Sequence, residues 1–76
     1  MPKLPRISSA QLLRALRRAG FVEARQQGSH LTVVHPDTHL TLTIPMNRDP
    51  LRTGTLAAIL HQADIRPDQL RDLLGR

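Results

Sequence analysis

Along this chain the spacing of apolar positions changes from helical to extended and back again. Leu12, Leu13, Leu16 and Ala19 fall on one face at about 100° per residue, with Arg14, Arg17 and Arg18 opposite, which predicts an amphipathic helix. Ser8 followed by Gln11 is a capping-box pattern at its start, in which each side chain satisfies a free backbone N–H. Gly20 stands at the usual left-handed stop, and Phe21 can fold back onto the last turn.

The period then becomes two. Residues 21–27 predict a first strand ending in Gln26-Gln27-Gly28. Ser29 to His35 is rich in β-branched residues and stops at Pro36, and Asp37-Thr38-His39 predicts a turn. Leu40-Thr41-Leu42-Thr43-Ile44 alternates strictly, which puts Leu40, Leu42 and Ile44 on a buried face until Pro45 ends the strand. Met46 to Thr53 predicts a loop. A second helix begins near Gly54-Thr55 with Leu56, Ile59, Leu60 and Ala63 as its apolar stripe, His61 and Gln62 turned away. Pro67 suits the first position of a short third helix carrying Leu70, Leu73 and Leu74.

Helix, three antiparallel strands, helix and short helix make an α+β fold of two layers, with helices on one face of the sheet and the other face left for a ligand or partner. Residues 1–7, with two prolines and two cations, predict an extended arm, and the 76 residues suffice for a single domain.

Composition adds a charge argument. Lys plus Arg number 11 against 6 Asp plus Glu, a formal charge of +5, and all these cations but Lys3 are arginines. Arginine forks bind phosphate well, so the balance fits nucleic acid, and it equally fits an acidic protein partner. Phe21 is the only aromatic, which leaves little for stacking bases. The absence of cysteine excludes disulfides and thiolate metal sites. The N-terminal charges have no apolar run behind them, as a signal peptide would, and no stretch approaches the ~18 apolar residues of a membrane span, so a cytoplasmic protein is expected.

Among candidate sites, Gly28-Ser29-His30 combines a backbone free to turn, a hydroxyl and a group that exchanges protons near neutral pH. If Leu31 and Val33 point inward, His30 and Thr32 face outward, with Arg25 on the adjacent strand. RNA cleavage suits such a set, because its nucleophile, the ribose 2′-hydroxyl, is already in the substrate and one acid/base beside cations suffices. A lone exposed histidine is also an ordinary surface residue, and the residues alone leave both readings open. His35, Asp37 and His39 flank one turn, a conceivable metal site with no second acid cluster behind it. The six acids include no close carboxylate pair for a catalytic Mg²⁺, and no nucleophile-elbow pattern surrounds Ser29. Arg14, Arg17 and Arg18 fit a phosphate-tracking face or the plain solvated side of a helix.

Taken in order, Leu16, Gly20-Phe21, Arg25, Gly28-Ser29-His30, Ile44-Pro45, Arg52, Gly54-Thr55-Leu56, Ile59-Leu60 and Gln62-Ala63 resemble the HicA family of toxins, also called YcfA-like, over almost the whole chain. The resemblance implies a double-stranded-RNA-binding-like fold, α-β-β-β-α, and an endoribonuclease acting on messenger RNA. It implies that His30 is the essential catalytic residue, supported by Gly28 and Ser29, and that a HicB-type antitoxin covers the site. Lys3, Arg25 and Arg52 are the cations expected near phosphate, with no metal and no cofactor. Two departures stand out: Val33 replaces a frequent aromatic three residues after the motif histidine, and Met46-Asn47 occupies a loop that often holds a second histidine. The rival readings are a non-catalytic basic RNA-binding module and, from another class, a protein-interaction module for an acidic partner.

Overall fold

The computed structural model describes residues 4–75, so Lys3 of the expected phosphate contacts lies outside the described residues. Among them the elements run α1 (Ser9–Arg18), β1 (Val22–Gln27), β2 (His30–Val34), β3 (Thr41–Pro45), α2 (Thr53–Ala63) and α3 (Pro67–Leu74). This is the expected α+β order, α-β-β-β-α with a short C-terminal helix.

Local chemistry accounts for the helix ends. The capping box forms: Gln11 N–H donates to Ser8 Oγ at 3.1 Å and Ser8 N–H donates to Gln11 Oε1 at 2.8 Å. After α1 the chain turns at Gly20 (φ 106°), and Phe21 N–H donates back to the Leu16 carbonyl at 3.0 Å. Pro67 opens α3, where its missing N–H costs no helical bond.

The strands form one antiparallel sheet in the order β1-β2-β3. Leu31 and Val33 of β2 and Leu42 and Ile44 of β3 are buried, and they pack with Leu12, Leu16, Phe21, Leu56, Ile59, Leu60 and Leu70 in one apolar cluster between sheet and helices. Leu40, expected in the core, precedes β3 and is only half-buried against that cluster. Ile7, expected in the arm, is in the core, and its carbonyl accepts from Leu51 N–H at 2.8 Å. Beside this pair, buried Ser9 donates its hydroxyl to the Pro45 carbonyl at 2.7 Å and accepts from Arg48 N–H at 3.1 Å. The start of α1 therefore holds the loop that follows β3.

Strand β1 differs from its neighbours: every one of its side chains is exposed, Val22 by 50%. Its position is set by hydrogen bonds to β2 more than by burial.

Candidate functional site

Gln27 pairs with His30, so Gly28-Ser29 is a two-residue hairpin turn. Gly28 has φ 57° while Ser29 has no positive φ, the signature of a type II′ turn, whose first central position favours glycine. A Cβ built at Gly28 meets nothing within 4 Å, so the glycine is required by backbone geometry alone. The Ser29 carbonyl accepts from Met46 N–H at 2.6 Å, which ties the hairpin tip to the chain leaving β3. His30 opens β2 directly beyond this turn, exposed, opposite Gln27 on one side and Pro45 on the other.

Directly opposed residues in an antiparallel sheet share a face. Because Leu31 and Val33 are buried, His30 and Thr32 face away from the helices, with Gln27, Arg25, Thr43 and Pro45. Arg25 joins this face by regular alternation from Gln27, and an irregularity follows it. The register shifts between Glu23 and Arg25, so that Glu23 pairs with Val33 on the helix side and Arg25 with Thr32 on the open side. A bulge at Ala24 changes the parity of the strand, as bulges do when they re-aim a side chain. Glu23 is ion-paired with Arg17 of α1, which confirms its side. Arg25 thus shares the face of His30 but stands one pair further along, and Gln27 holds the directly opposed position.

Residues 9–65 match the family described as HicA toxin of bacterial toxin-antitoxin. The chain belongs to the HicA toxin family. It is therefore a toxin of a toxin–antitoxin system. No curated protein matches the chain. The HicA match runs from the first residue of α1 past the end of α2 and stops before α3.

Within this HicA domain the other candidates separate by position. Arg52 is the exposed N-cap residue of α2, its side chain makes no capping bond, and residues 46–51 separate it along the chain from β3. Of the α1 arginines, Arg17 holds Glu23 and Arg18 donates to the Leu73 carbonyl at 2.6 Å, so two of the three have structural duties on the helix side. His35 is engaged through both ring nitrogens: Nε2 lies 3.2 Å from the Ala19 carbonyl and Nδ1 accepts from Asp37 N–H at 3.2 Å. Its ring also meets Phe21 edge-on, centroids 5.2 Å apart. It is a latch between the end of β2 and the end of α1. Among the described residues no group of three or more His, Cys, Asp or Glu is placed to hold a metal.

The two departures from the family pattern have different locations. Val33 is buried on the helix side, so an aromatic there would pack in the core and not against a ligand. Asn47 is exposed in the loop beside the hairpin tip with φ 63°, a left-handed conformation that asparagine tolerates better than most residues. Sequence reasoning passed over Gln27 and Thr43. The two-residue spacing of Gly28-Ser29 would have placed Gln27 opposite His30, and the alternation of Leu42 and Ile44 had already put Thr43 outside.

Proposed function

We propose that this toxin is a metal-independent endoribonuclease that cleaves messenger RNA in the cytoplasm, with His30 as its proton-transfer residue, and that a HicB-type antitoxin neutralises it by covering the open sheet face. The observation that carries the reading is the setting of His30. Its imidazole is exposed on an open face, beyond a fixed turn, with Arg25 on the same face and the nearest β1 carboxylate, Glu23, turned to the other side. Among the described residues, three cavities lie among the helices and at the turn by Thr38, and His30 lines none of these three, which fits a polymeric substrate laid across a surface.

The chemistry needs little else. The ribose 2′-oxygen bonds to the phosphorus, the P–O5′ bond breaks, and the products are a 2′,3′-cyclic phosphate and a 5′-hydroxyl. The proton lost by O2′ balances the one gained by O5′. His30 can carry both transfers, since an imidazole that has accepted the first proton is the acid the leaving oxygen needs. Ser29 orients the scissile phosphate at the hairpin tip. Arg52 offsets its charge, Arg25 meets backbone phosphate on the same face, and Lys3 adds a cation from the arm.

The test is His30→Ala. The residue is exposed and packs little, so the variant keeps its thermal melt while cleavage falls by about 10²–10⁴-fold and expression ceases to be toxic. Wild-type turnover persists in excess EDTA. A folded His30→Ala protein that cuts at the wild-type rate removes the role. A wild-type protein that binds RNA and never cuts it is a non-catalytic RNA-binding module.

A further inference from the structure

The open face of the sheet carries polar groups that the cleavage chemistry at His30 does not use. Arg25, Thr32 and Thr43 stand in one row from edge to edge, Arg25 opposite Thr32 and Thr32 opposite Thr43. The neighbouring row is Gln27, His30 and Pro45. We propose that Arg25, Thr32 and Thr43 form a second backbone subsite, which holds the phosphodiester next to the one cut at His30 in a single-stranded RNA. The proposal rests on the reading of His30 as the cutting residue.

Three features support it. First, the two-residue turn that pairs Gln27 with His30 sets Arg25 opposite Thr32, and the bulge at Ala24 lies just beyond: without it Glu23 would oppose Val34, on the open side. The bulge turns Glu23 to the helix side, where it pairs with Arg17, so no β1 carboxylate stands on the open face beside Arg25.

Second, its polar groups are uncommitted. The Arg25 guanidinium and the Thr32 and Thr43 hydroxyls make no hydrogen bond or ion pair among the described residues. Three other hydroxyls are engaged: Thr41 Oγ1 donates to the His39 carbonyl at 3.3 Å, Thr38 Oγ1 accepts from Leu40 N–H at 3.4 Å, and Ser9 bonds both Pro45 and Arg48. Thr32 and Thr43 oppose each other, about 5 Å apart at Cβ, close enough to reach the oxygens of one phosphate or an adjoining 2′-hydroxyl.

Third, the spacing fits. Same-face residues two apart on a strand, as His30 and Thr32 are, lie about 6.7 Å apart, close to one nucleotide step of an extended single strand. The chain's one aromatic, Phe21, is buried, so bases find no stacking platform on this face. The grip is on the backbone and tolerates any base.

Two measurements test the subsite. The first uses a labelled single-stranded uridine oligonucleotide and the His30→Ala protein, so that nothing is cut. Adding Thr32→Val and Thr43→Val weakens binding by about twofold to tenfold per hydroxyl, with the slope against salt unchanged. Adding Arg25→Ala weakens binding and reduces that slope by about 0.7, the share of one single-strand phosphate. Thr41→Val, whose hydroxyl serves its own turn, leaves affinity as it was. Valine keeps the β-branched shape, and a thermal melt of each variant confirms the fold. The second measurement uses His30-intact protein on a uridine dinucleotide, which has one phosphodiester, and on the longer oligonucleotide. The double threonine variant loses kcat/KM on the longer substrate only. Unchanged affinity in the double threonine variant, or an equal loss on both substrates, overturns the subsite. If the wild-type protein cuts neither substrate, the reading of His30 fails, and the binding measurement still decides the subsite.

Discussion

Gly20 and Gly28 both hold a positive φ, yet their surroundings differ. At Gly28 an added Cβ enters open space, so Gly28→Ala has only the left-handed backbone to strain, about 1–2 kcal/mol. At Gly20 the Cβ would lie 2.6 Å from His35 Nε2, and the ring that must move is the one holding the Ala19 carbonyl and Asp37 N–H. Gly20→Ala should therefore cost clearly more than Gly28→Ala in urea unfolding. Much of the excess should vanish when Gly20→Ala is made on a His35→Ala background, because the two residues are in contact and their effects do not add. Equal losses for the two glycines, on either background, would show that the His35 ring yields freely and is no latch.

At the scale of elements, the hairpin tip and the loop after β3 act together because Ser29 bonds Met46 and Ser9 bonds both Pro45 and Arg48. Ser9→Ala removes one hydroxyl and leaves a carbonyl and an N–H without it, a loss of about 1–3 kcal/mol. The local sign is faster amide exchange at Arg48, with Ile44, buried in mid-strand, still protected. Slow exchange at Arg48 in that variant would show that the loop stands without Ser9. None of this was legible beforehand. Ser9 looks like a second polar residue at a helix start, and its partners lie 36 and 39 residues away. The elements themselves were legible, because caps, glycine stops and apolar alternation are local signals. So was the outward face of His30, which follows from Leu31 and Val33. The bulge at Ala24 was not, since one extra alanine in a fully exposed strand leaves no mark on a hydrophobic pattern that β1 lacks. Arg25 was expected beside His30, whereas the two-residue turn that sets Gln27 opposite His30 leaves it one row away.

For the whole molecule, the question is whether α3 is an appendage. The family match ends at residue 65, before this helix begins. The packing argues that α3 belongs to the fold: Leu70 is fully buried in the same cluster as Leu12 and Leu42, and Arg18 of α1 donates to the Leu73 carbonyl. A chain of this length has a total stability of roughly 4–11 kcal/mol. Leu70→Ala, by leaving a cavity in that cluster, should remove about 2–5 kcal/mol, a large share of the whole. Because one core is shared by both layers, the loss should be global. Helix and strand signals in circular dichroism should fall together at a lower urea midpoint, with the slope of the transition unchanged. An appendage would behave otherwise: α3 would melt early by itself, and the transition of the sheet and of α1 would stay at the wild-type midpoint. Observing that split would confine the cooperative unit to the matched residues and make Leu70 a local anchor only.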